Sequence, residues 1–331
     1  MNSSEILRKY AAGETDFRGI NLKGIELNGA DLIGINFSEA DLQGADLVLA
    51  FLNRVNLQGA NLITAKLSGA YLTQANLQAV KMADVDLHGA NLQNADLRLA
   101  NLELAILIDA NLCGADMRGI NLQGADLRGA YMRGANLRYE RRAYEMANLR
   151  GANMREADLR GIDLTGADLT RADLRGANLS EVLLRDAKLT SANLTEVILD
   201  GAFLTEANLA GVNLSGASLI NAKFERAGLI DTCLNEANLT GAIMVDVKLG
   251  KAQLVGANLT RANLVRADMS RADLSQANLT KADLTDAYLA KANLCNSNLN
   301  ESILTRVELS TTNLSGAQMQ GASMPNGDIH Q

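Results

Sequence analysis

An all-β solenoid is the fold this sequence predicts: a quadrilateral parallel β-helix of about fifteen coils with a short N-terminal capping helix. Three observations predict it. The first is a period of five residues, plainest from Ala257 to Leu284, which reads ANLTR ANLVR ADMSR ADLSQ ANLTK ADL. A helix would repeat near 3.6 residues and a half-buried strand near 2, so neither fits. Within a unit, Ala257 and Leu259 share one side of an extended segment and Asn258 takes the other, because side chains alternate across a strand. Thr260 and Arg261 then turn a corner, and four such units close a square coil of roughly twenty residues. The second observation is glycine two places after the central Leu, as at Gly19, Gly24 and Gly114, where a turn requires positive φ. The third is proline, absent from every unit and present only as Pro325 after the last. An imide would remove a donor from a ladder that uses both edges of each strand.

The elements follow in order. Residues 1–15 lack the repeat. Asn2 and Glu5 resemble a capping box, and Ile6, Leu7 and Tyr10 fall on one helical face, so a helical cap laid over the first coil is expected. Residues 16–137 form a first run of coils. Residues 138–148 interrupt the phase, since the step from Leu137 to Leu149 is twelve rather than ten. That step predicts two extra residues, a bulge over Arg138–Arg142, and a resumed unit centred on Tyr144. Residues 149–324 form a second, more regular run, and 325–331 a tail ended by Pro and Asn-Gly.

Composition narrows function. The net charge is −7, with a pI near 5.0, so no direct nucleic-acid binding is expected. No apolar stretch reaches membrane-span length, and MNSSEILRKY lacks a secretory core. An odd set of distant cysteines, Cys113, Cys233 and Cys295, suits a reducing cytoplasm. The two histidines, His88 and His330, are remote from each other and from any cysteine at ligand spacing. Aspartates fill the slot before the central Leu, where they bond backbone amides and stack in ladders. No metal, no cofactor and no catalytic residue is therefore expected, and the chain reads as a non-enzyme whose partner is another protein.

The candidate interaction residues are those that depart from the repeat. Phe51, Tyr71 and Tyr131 fall on one outward face at multiples of twenty residues. With two extra residues, Arg118, Arg138 and Arg160 join Arg98 in one vertical column, and Arg133, Arg155 and Arg175 form another. Tyr139, Arg141 and Arg142 lie in the bulge. Each set has a structural reading beside the functional one. The aromatics stack along a ladder or present an apolar contact surface. The arginines form a solvated lattice of weak ion pairs or dock an acidic surface. A monomer or weak homodimer is expected.

The ADLxG and ANLxx units, such as Ala125–Gly129 and Ala167–Arg171, resemble the pentapeptide repeat family over about nine-tenths of the chain. The resemblance implies a right-handed quadrilateral β-helix. MNSSEILRKYAAGETDF and SMPNGDIHQ are similar to the termini of cyanobacterial members, including a branch that regulates heterocyst differentiation. That branch implies a regulatory or scaffold role through a protein partner. Another branch implies the alternative, a DNA-mimicking modulator of DNA gyrase. Its members dimerise through a C-terminal helix, and no such helix is legible here.

Overall fold

The computed structural model describes residues 1–139 and 146–331. Helix α1 spans Ser3–Ala11. Asn2 caps it, its side chain accepting the Glu5 N–H at 2.9 Å. Glu5 in the first turn and Arg8 and Lys9 in the last complement the helix dipole. Ile6 is fully buried, and the Tyr10 hydroxyl donates to the Ile33 carbonyl at 2.8 Å. Leu7, expected on the same face, is instead exposed, because only a narrow stripe of so short a helix meets the coil.

Among the described residues, the walls of the coils are single parallel bridges. Asp16 pairs with Asn36, Asn36 with Asn56 and Asn56 with Asn76, twenty residues apart each time. One unit shows how the backbone is satisfied. Leu42 N–H donates to the Asn61 carbonyl at 2.7 Å, and Asn61 N–H donates to the Ala40 carbonyl at 2.9 Å. At the corner, Gly44 N–H donates to Ile63 in the next coil at 3.0 Å, and Ala45 N–H closes the turn onto Leu42 at 3.0 Å. Central Leu and preceding Ala are buried in nearly every unit, and the outward Asn and Asp are half-buried or exposed. The outward side chains act as expected. The Asn56 side-chain oxygen accepts the Gln58 N–H at 3.2 Å, and its amide donates to Asn36 at 3.1 Å. Such side chains replace water at backbone donors that the wall leaves over.

The chain divides into two compact units, Met1–Leu169 and Thr170–Gln331. In the first, the interruption differs from the sequence expectation. Asn121 pairs with Asn148, Asp126 with Asn153, Tyr131 with Asp158 and Asn136 with Asp163. That offset is 27 residues, seven more than the regular twenty, where two were expected. The physical reason is an amide ladder. Asn121 donates to Asn101 at 2.9 Å and Asn148 donates to Asn121 at 3.0 Å. Ala143, which the shorter reading sets against Asn121, has no amide to continue it. Tyr144, expected at the centre of a resumed unit, lies outside the described residues, as do Arg141 and Arg142.

In the second unit the tail folds back. Ser323 and Ile329 form an antiparallel bridge, with Gly321 N–H donating to the His330 carbonyl at 2.7 Å and His330 N–H to Ala322 at 2.8 Å. The inward Leu309, Leu314 and Met319 of the last coil remain half-buried.

Candidate protein-interaction face

One face of the unit Met1–Leu169 collects Asp31, Phe51, Tyr71, Asn91, Asn111, Tyr131 and Asp158 through successive bridges. The Phe51 and Tyr71 rings stack with centroids 4.9 Å apart and 3° between planes. Both are 41% exposed, and Tyr131 is 53% exposed. The coil spacing sets the stack: side chains at one slot on neighbouring coils stand about 4.8 Å apart, close to an offset ring contact.

The corrected offset rearranges the arginines. Arg98, Arg118 and Arg138 do share one corner, since Asp96, Asp116 and Asn136 pair in turn. Arg160 does not join them; Thr165 takes that place, accepting the Tyr139 N–H at 2.9 Å through its carbonyl. Arg160 stands instead over Arg133, and Arg155 over Arg128, as the pairs Tyr131–Asp158 and Asp126–Asn153 require. The expected Arg133–Arg155 column is therefore also replaced. The arginines Arg128, Arg133, Arg138, Arg150, Arg155 and Arg160 make a girdle around two successive coils, not two vertical columns.

Tyr131 sits inside this girdle. Arg128 and Arg155 occupy the corner before its face, and Arg133 and Arg160 the corner after it. Some of the charge is matched. Arg160 Nε donates to Asp158 at 2.7 Å, Arg128 Nε donates to Asp126 at 2.9 Å, and Arg150 lies 3.4 Å from Asp168. The bond from Arg160 holds the Asp158 carboxyl below the ordinary carboxylate range, and the charge of Arg133 adds to it. Arg133, Arg138 and Arg155 have no carboxylate within 4.0 Å among the described residues. Beside Arg128 and Arg155 lies an open cleft of about 310 Å³ edged by Ile108, Asp109, Gly129 and Glu156.

Of the residues expected at a site, the structure thus brings Phe51, Tyr71, Tyr131 and Arg160 to one face. Arg118 and Arg138 lie on the next corner, where Arg118 is bonded to Asp116 through Nε at 2.8 Å. Tyr139 is half-buried and packs over Gly166. Arg128 and Arg150 were not singled out in the sequence, although both stand next to the interruption. Among the described residues no group of three or more His, Cys, Asp or Glu could hold a metal ion, and no helix is long and apolar enough to cross a membrane. Cys113, Cys233 and Cys295 are free and half-buried.

The geometry first defines a class: a β-solenoid with single-bridge walls and positive-φ corners. The family follows from its profile, pentapeptide repeats in eight copies, which matches overlapping segments covering 15–138 and 147–326. The chain belongs to the pentapeptide repeat family. The break in the match, 139–146, falls on the interruption. Among solved structures, the chain is similar to HetL, a pentapeptide repeat protein involved in heterocyst differentiation regulation from the cyanobacterium Nostoc sp. strain PCC 7120. The identity is 29% over 100% of both chains, with a TM-score of 0.30. A trypsin-treated variant of QnrB1, a plasmid-mediated fluoroquinolone resistance protein, is 16% identical over 77% of this chain and 89% of its own, with a TM-score of 0.32. A second pentapeptide repeat protein from Nostoc PCC 7120 is 34% identical over 33% of this chain and 80% of its own, with a TM-score of 0.21. No curated protein matched the sequence.

Proposed function

We propose that the protein is a non-catalytic interaction module and that the Phe51–Tyr131 face docks a protein partner. The observation that carries this reading is Tyr131, exposed and bracketed by Arg133 and Arg155, neither held by a described carboxylate. Tyrosine and arginine are the residues that dominate binding energy at interfaces, and the stacked Phe51 and Tyr71 extend the apolar part of the same face. Occupancy of such a surface suits regulation or scaffolding. We extend the reading to a cyanobacterial cell, and to differentiation within it, on the similarity of the two termini to cyanobacterial members. The alternative, imitation of duplex DNA toward gyrase, needs a continuous acidic surface, and the girdle interrupts it. Addition of the purified protein to a supercoiling assay tests that alternative directly.

The main test has two stages. Partners are first captured from native lysate with the unaltered protein and identified by mass spectrometry. The affinity of each purified partner is then measured for Tyr131→Ala/Arg133→Ala. A loss of roughly tenfold or more supports the face. Affinity equal to that of the unaltered protein for every partner removes it.

A further inference from the structure

In the unit Thr170–Gln331, some corner charges are matched between coils, chiefly along the column from Glu206 to Arg306. Arg226 Nε donates to Glu206 at 2.9 Å, Arg266 Nε to Asp246 at 2.7 Å, and Lys281 lies 3.2 Å from Glu301. A different corner carries like charges instead. Lys251, Arg271 and Lys291 occupy the same corner on three successive coils. The pairs Lys248–Asp268 and Asp268–Tyr288 on one side, and Gln253–Asp273 and Asp273–Asn293 on the other, set them there. Lys251 N–H donates to the Ser270 carbonyl and Arg271 N–H to the Ala290 carbonyl, both at 2.9 Å. All three side chains are exposed, and none has a carboxylate within 4.0 Å among the described residues. Asp231 holds the same corner one coil before Lys251 without coming within 4.0 Å of it, and the acids on the flanking faces are engaged elsewhere. Asp268 accepts the Ser270 N–H at 3.0 Å, and Asp273 accepts the Ser275 N–H and the Asn293 amide, both at 3.0 Å.

Coils about 4.8 Å apart thus stack like charges in a molecule whose net charge is −7. Such a ridge repels itself in the free protein, and an anion laid along it relieves the repulsion. Beside it runs a shelf of Gly250, Ser270 and Ala290, small side chains that leave the cations approachable. We propose that this ridge docks an acidic stretch of a protein partner lying along the shelf. Acidic side chains of an extended segment recur on one side every second residue, about 6.6–6.8 Å apart. The long lysine and arginine arms span that spacing. A nucleic-acid strand is disfavoured because the ridge offers one exposed aromatic neighbour, Tyr288, where strand binding uses a series of stacking rings.

The test uses the full chain and a fluorescent oligoglutamate peptide, read by anisotropy at low and near-physiological salt. The unaltered protein is expected to bind, with affinity falling as salt rises. Lys251→Gln/Arg271→Gln/Lys291→Gln should weaken binding roughly tenfold or more. Arg226→Gln/Arg266→Gln, whose cations are already bonded to Glu206 and Asp246, should weaken it far less. The triple variant should melt at or above the temperature of the unaltered protein, since it removes a repulsion. Peptide binding unaffected by the triple variant overturns the proposal. So does tighter, ridge-dependent binding of an oligothymidylate strand, or a lowered melting temperature, which would make the ridge a structural element.

Discussion

At the residue scale, the corner position two after each central Leu governs the surface. Its φ is positive whether it holds glycine, as Gly114 at 69°, or not, as Leu49 at 56° and Asp109 at 56°. A left-handed residue other than glycine costs about 1 kcal/mol, and the corner N–H bond to the next coil offsets it. A second rule is visible between coils. Leu49 leans over Gly69, Leu104 over Gly124, and Asn94 over Gly114, so a side chain at a corner uses the space that the glycine above leaves. A Cβ at Gly69 would come within 2.7 Å of Leu49. Most of these side chains can swing aside. Tyr139 cannot, because its own Cβ would lie 2.9 Å from a Cβ at Gly166. Gly166→Ala is therefore expected to cost about 1–3 kcal/mol more than Gly151→Ala, since nothing lies within 4 Å of the latter position. Chemical denaturation of the two variants checks this; equal midpoints would show that Tyr139 moves freely.

At the scale of the coil, inward leucines and outward charges should differ sharply in weight. Leu259 is wholly buried, and its N–H donates to the Asn278 carbonyl at 2.7 Å. Leu259→Ala should cost about 2–5 kcal/mol. Leu259→Asp should cost more and loosen the coils on both sides, because it leaves a buried charge unpaired. A melt within about a degree of the unaltered protein would contradict the inward placement. The Arg266–Asp246 pair, by contrast, is exposed and screened by salt, so Arg266→Ala should leave the melting temperature close to that of the unaltered protein. The wall was legible from its period, and the Phe51–Tyr71 stack from a separation of twenty residues. The girdle was not. The step across the interruption admits two extra residues or seven, and the choice rests on which side chain can continue the Asn101–Asn121 ladder. That is a pairing between coils, invisible in the linear spacing.

For the molecule as a whole, acid should weaken the fold. The bond from Arg98 holds Asp96 below the ordinary carboxylate range, as Arg160 does Asp158. A depressed folded value means that the unfolded chain binds these protons more readily. Their stabilisation is complete above the ordinary value near 4 and is lost as pH falls through the depressed one. Melting temperatures should hold from neutral pH to about 5 and fall below it. Asp96→Asn/Asp158→Asn should be less stable at neutral pH and flatten the acid limb. An unchanged limb would assign acid sensitivity to other carboxylates. Within Thr170–Gln331, hydrogen exchange should grade from slow at Leu254, whose N–H reaches Asp273 at 2.7 Å, to fast at Thr312 and Ala317 beside half-buried Leu309 and Leu314. Uniform protection would mean that the last coil is covered.

The five-residue repeat by itself determined the coil, its leucine-filled interior and its positive-φ corners, because those depend on alternation and turn chemistry within one unit. Only the stacked structure decided which outward residues meet. Neighbours on a face are a coil apart in the chain, so the 27-residue offset changes which side chains of the resumed coil stand over the first run. A local pattern cannot encode that offset, because the amides that settle it come from different coils.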